Sequence, residues 1–189
     1  MIHPAISLAE HPWSASHDGP CLYLGPLAPG RTDHAGLALD AAHAAGRPVT
    51  LAGTDPPPDP ATAAALGRRL ARGDTLRPQV SLVERWALLE TACCLLAPLA
   101  ADEPYSLAVV EALAYGIPVV GLHDTVAAEL VDHQLSGLLV LEARDLWAGV
   151  RDAPTLDPKT VRRHAARFDV AVMVAGYERL FARLVAGRR

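Results

Sequence analysis

Two spacings of apolar residues alternate along this chain. Short continuous runs such as CLYLG, VTLAG, CCLLA and IPVVGL read as buried strands, because a strand covered on both faces needs no polar alternation. Between them apolar residues recur at helical spacing. Strands are expected near residues 21–25, 48–52, 75–80, 93–97, 117–121 and 138–141, and helices around 34–45, 60–72, 81–92, 106–115 and 125–132. A helical tail is expected at 144–151, 158–166 and 169–186. This order predicts an α/β fold, a Rossmann-like three-layer domain with a mostly parallel six-stranded sheet and C-terminal helices. The prolines of DPPPDP, residues 55–60, read as an extended surface loop before a helix rather than as a linker.

One stretch concentrates the chemistry. The strand at Cys93–Ala97 is ended by Pro98, and Leu107, Val110 and Ala114 then form the stripe of a helix that Gly116 stops. With the strand that follows, this is a crossover unit whose loop lies at the carboxyl edge of a parallel sheet, where such folds bind ligands. The amides of Tyr105, Ser106 and Leu107 open that helix without intrahelical partners and offer a phosphate site. Glu103 borders it. Glu111, on the flank of the apolar stripe, is expected to be half-buried and in need of donors. The vicinal hydroxyls of a ribose would supply them; a nearby arginine is the other reading, with Glu103 then an ordinary loop carboxylate.

Composition narrows the function classes. A chain of 189 residues that is 51% hydrophobic suits one globular domain with a sizeable core. A net charge of −4 and an aromatic fraction of 5% leave neither a basic footprint nor stacking platforms for nucleic acid. No apolar run approaches the roughly 18 to 20 residues needed to cross a bilayer, and no signal-peptide pattern opens the chain, so a cytoplasmic location is expected. Three cysteines fit that compartment. Cys93 and Cys94 are expected to point to opposite faces of one strand, and Cys21 opens another; no metal-site spacing appears, so all three read as buried and reduced.

The stretch from Glu103 to Val131, EPYSLAVVEALAYGIPVVGLHDTVAAELV, resembles the donor-sugar motif EPFGLVVLEAMACGTPVVATDVGGIPEVV of the retaining glycosyltransferases of family 4. Residues 21–53 are similar to that family's first strand, glycine turn, helix and second strand, and residues 162–185 to its closing helices. The opening MIHPAISLAEHPW is like the segment by which these two-domain enzymes pass into their second domain. The resemblance implies a single donor-binding domain over residues 1–189, one half of a GT-B fold, with an interdomain-type leader at 1–20 and a helical tail at 143–189. It further implies a nucleotide-diphospho-sugar with its phosphates at Tyr105, Ser106, Leu107 and Arg31 beside the Gly25 turn, its ribose on Glu111 and its sugar on Glu103, the residue given the catalytic role. No obligatory metal or other cofactor is implied, and the acceptor site belongs to a domain absent from this chain.

The sequence departs from the family pattern at the diphosphate grip. Pro26 stands where the family has an arginine and removes its charge and amide, Arg31 replaces a lysine, and Thr125 and Val126 replace paired glycines. Three readings follow: a donor domain of a glycosyltransferase, a degenerate nucleotide-binding module acting as a partner or scaffold subunit, and an unrelated α/β domain. His34, His43, His123 and His133 read as surface or core-edge residues, Trp86 and Trp147 as packing, and Arg162, Arg163 and Arg167 as a solvated helix face. The last helix carries an apolar face too broad for a free terminus, so an acceptor-domain subunit or a second copy of the chain is expected to cover it.

Overall fold

Each apolar run becomes a strand in the computed structural model, which describes residues 2–11, 18–27, 32–54 and 56–186. In chain order the elements are β1 (Cys21–Gly25), α1 (Thr32–Ala44), β2 (Val49–Gly53), α2 (Pro60–Gly67), β3 (Thr75–Arg77), α3 (Leu82–Thr91) and β4 (Cys94–Ala97). There follow α4 (Leu107–Ala114), β5 (Val119–Leu122), α5 (Ala127–Leu130), β6 (Gly137–Val140), α6 (Leu146–Asp152), α7 (Pro158–Ala165) and α8 (Val170–Ala186). The strands lie in the order β3-β2-β1-β4-β5-β6, and every pairing is parallel. The sheet is six-stranded and Rossmann-like, as its hydrophobic pattern requires. One face carries a core built with α3, α4, α5 and α7, and the other is covered by α1 and α6.

Local signals set the boundaries. Asp59 caps α2 by accepting from Ala61 N at 2.9 Å, with Pro60 at the first helical position. Ser81 and Glu84 form a capping box that fixes the start of α3. At the end of α4, Gly116 takes φ +78 while Gly116 N donates to Leu113 O and Ile117 N to Ala112 O, so a glycine is required at this stop. The expected strand at 75–80 ends at Arg77 because Pro78 has no donor for the ladder, and the one expected from 117 begins only after Pro118. Helix α2 stops at Gly67, five residues earlier than expected, since only Leu66 of it reaches the core.

Cys93 corrects a further expectation. It lies just before β4 instead of alternating within it, and its sulfur converges with those of Cys21 and Cys94, all within 4.8 Å of one another.

The opening segment is stitched to the body. Ile6 N donates to Phe168 O at 3.1 Å and Val170 N to Ile6 O at 2.9 Å. The Arg162 guanidinium donates to Leu8 O at 2.9 Å, to His11 O at 2.7 Å and to Ala114 O, joining this segment to the end of α4. Helix α8, by contrast, has no buried residue: Val172, Tyr177, Phe181, Leu184 and Val185 are all exposed.

Candidate functional site

The strand order reverses direction between β1 and β4, and parallel sheets leave a crevice at the carboxyl ends of such a pair. A cleft of about 30 Å³ opens there, lined by Gly25, Pro26, His34, Leu99, Glu103 and Ser106 among others. A Cβ at Gly25 would stand 2.7 Å from the Tyr23 hydroxyl, which itself donates to Pro26 O at 3.1 Å, so any side chain there would have to push the tyrosine aside. Ser106 is the N-cap of α4, 7% exposed, and its side chain makes no capping bond. Among the described residues, the amides of Tyr105, Ser106 and Leu107 have no hydrogen-bond acceptor, so the positive end of α4 is open toward the cleft.

Gly25, Glu103 and Ser106 are thus brought together. The Tyr105 side chain turns elsewhere: its hydroxyl donates to Pro4 O at 2.7 Å, its ring stacks on His3, and burial pushes its pKa up to about 12. Arg31 lies outside the described residues.

Glu111 is more enclosed than expected, 8% exposed, and it does not line the cleft. Its carboxylate forms an ion pair with Arg85 of α3. Burial raises its pKa above the ordinary carboxylate range, against the opposing pull of the Arg85 charge and hydrogen bond and of His11. Among the described residues, Arg85 Nε and the adjacent Trp86 Nε1 are buried without a hydrogen-bond partner. The Trp86 ring meets His11 edge-on at 5.7 Å between centroids, and His11 meets Tyr115 in the same way at 5.6 Å.

The loop after β5 accepts its β-branched residues without strain. Thr125 Oγ1 donates to Leu122 O at 2.9 Å and accepts from Ala127 N at 3.2 Å, and Val126 takes an ordinary helical φ of −57. A larger groove of about 560 Å³ lies away from the sheet edge, between the opening segment and α8, and includes Ile2, His3, Met173 and Gly176. It lacks the open helix amides of the crossover unit. Arg85 was not singled out by sequence reasoning, and His34, read there as a surface or core-edge residue, lines the cleft. Only the capping box, which sets the helical phase of α3, hints that Arg85 faces α4.

No helix among the described residues is long and apolar enough to cross a membrane. The family model described as glycosyl transferases group 1 matches residues 21–153. No curated protein matches the chain. Among solved structures, the glycosyltransferase AviGT4, involved in avilamycin A biosynthesis, is 25% identical with a TM-score of 0.79, covering 97% of this chain and 58% of its own. Sucrose-phosphate synthase from Thermosynechococcus elongatus is 21% identical with a TM-score of 0.75, covering 98% of this chain and 52% of its own. HepE from Anabaena, solved in complex with UDP-glucose, is 18% identical with a TM-score of 0.72, covering 96% of this chain and 57% of its own. The chain therefore spans a little over half the length of these proteins. It belongs to the group 1 glycosyl transferases.

Proposed function

We propose that this member of the group 1 glycosyl transferases is the donor-binding half of a retaining enzyme and holds a nucleoside-diphosphate sugar at the carboxyl edges of β1 and β4. The observation that carries the reading is the open amino terminus of α4 facing the cleft that Gly25, Glu103 and Ser106 line. Unpaired amides and the helix dipole favour a diphosphate there. In transfer they would stabilise the charge that grows on the departing diphosphate, with Arg31 as a further cation. Glu103 is assigned the hydroxyls of the sugar and Glu111 those of the ribose. The Arg85 pair means that a ribose must either share the Glu111 carboxylate or displace the guanidinium. No obligatory metal is part of this proposal.

The acceptor hydroxyl requires a second wall, because the cleft of about 30 Å³ is far smaller than the roughly 300–1,000 Å³ of ordinary ligand sites. We assign that wall to an acceptor-binding half that packs on the exposed apolar face of α8, carried on the same polypeptide or by a separate subunit.

Calorimetric titration with UDP, GDP and their glucose conjugates tests the reading, UDP-glucose being the ligand in the HepE complex. Binding of at least one of them, weakened by Glu103→Gln and Glu111→Gln, is expected. No heat with any of them at millimolar concentration would overturn it. A second reading, a nucleotide-binding module without transfer activity, is favoured by Pro26, which removes both a cation and an amide from the diphosphate turn. Binding without transfer, even with the acceptor half supplied, would decide for it.

A further inference from the structure

The only cysteines of the chain meet at the amino edge of the two central strands, across the sheet from the donor cleft. Cys21 opens β1, Cys94 opens β4 in register with it, and Cys93 precedes Cys94. All three are fully buried, at 0% exposure. Their sulfurs lie within 4.8 Å of one another, with Cys21 Sγ and Cys93 Sγ at 3.7 Å. A metal–thiolate bond is about 2.3 Å, so three sulfurs around one ion in a plane stand about 4.0 Å apart. We propose that Cys21, Cys93 and Cys94 form a three-sulfur site for a soft, thiophilic ion of low coordination number, of the copper(I) class.

Three features support the choice of ion. The ligand set is purely sulfur, which selects soft ions over magnesium, calcium or manganese. Among the described residues no His, Asp or Glu atom joins the group, so tetrahedral zinc lacks its fourth protein ligand. The sulfurs are already gathered by main-chain bonds, since Cys21 N donates to Pro48 O at 2.9 Å and Cys93 N to Pro20 O at 3.2 Å.

Binding exchanges protons for the ion. Each Sγ–H loses its proton to solvent and its sulfur forms one bond to the metal, with no change of oxidation state. Burial means that the ion enters through local opening of the amino edge, so uptake is slow and release slower. Once bound, the ion clamps β1 to β4, independently of any ligand in the donor cleft.

The test is an anaerobic titration of the reduced 189-residue chain with Cu(I), supplied as its acetonitrile complex against a competing chelator. Expected are one equivalent bound, a thiolate-to-copper band in the ultraviolet and a raised melting temperature. Cys93→Ser and Cys94→Ser should lose the equivalent and the thermal shift while their metal-free forms still melt cooperatively. X-ray absorption on the loaded wild-type protein guards against variants that fail to fold, and should find three sulfur neighbours at about 2.3 Å. No binding by the wild type, oxygen or nitrogen neighbours at the metal, or an undiminished equivalent in folded Cys93→Ser would each overturn the proposal.

Discussion

Arg85 and Glu111 join α3 to α4 through an ion pair whose side chains are only 20% and 10% exposed. Each was drawn out of water by its own helix, Arg85 one turn beyond the capping box and Glu111 beside the stripe that packs on the sheet. Removing one partner leaves the other buried and unpaired, which typically costs about 3–5 kcal/mol, whereas replacing both with apolar residues is often close to neutral. Arg85→Met should therefore destabilise the chain by about 3 kcal/mol, and adding Glu111→Leu should restore most of the loss. Chemical denaturation of the two single variants and the double variant measures this. Additive losses would mean that the pair contributes nothing as a pair.

The turn after β1 is expected to limit affinity for a diphosphate. Pro26→Arg adds a charge-assisted contact of about 1.5–3 kcal/mol, which corresponds to about tenfold tighter UDP binding or better. Calorimetry on the two proteins compares them directly. Equal affinities would remove this turn from the site.

A Cβ at Gly53 would stand 2.1 Å from Pro78 O and 3.1 Å from Leu27 Cδ1. The first neighbour is main chain and cannot rotate away. Gly53→Ala should cost about 1–3 kcal/mol through overpacking, read as a lower denaturation midpoint with an unchanged slope. A midpoint equal to the wild type would show that the β2 terminus yields freely.

His164 carries a pH dependence. Burial, helped by the Arg167 charge, lowers its pKa below the ordinary histidine value of about 6.5, although its hydrogen bond to Leu130 O at 2.9 Å and the nearby Asp132 oppose the shift. Between the depressed folded value and about 6.5 the unfolded chain binds more protons, so stability is present above that window and is lost as pH falls through it. Melting curves from neutral pH downward should show a steeper decline for the wild type than for His164→Gln. Parallel declines would exclude His164 as the cause.

The sheet was legible because each strand announces itself as an uninterrupted apolar run, and Gly116 as a helix stop because only a left-handed position needs it there. The site was legible in part. Gly25, Glu103 and Ser106 converge because one crossover unit and the strand beside it place them, which local pattern can foresee. Relations between distant segments left no such signal. Tyr105 reaches Pro4 across 101 positions, Arg85 meets Glu111 from another helix, and Cys21 finds Cys93 across 72. In each case the helical phase or the bend before a strand decides the contact, and neither is written in residue spacing. Cys93 escapes alternation because it sits in the turn before β4, where the pleat has not yet begun.

The three carbonyls held by Arg162 make the first ten described residues part of the folded body. A trimmed version beginning at β1 would leave that guanidinium facing two vacated acceptors and would bare the His11 contacts with Trp86 and Tyr115. Protease mapping should accordingly find this stretch as resistant as the sheet, and anyone moving this domain into another protein must carry residues 2–11 with it. The boundary of the folded unit then lies ahead of the first strand by more than its hydrophobic pattern suggests.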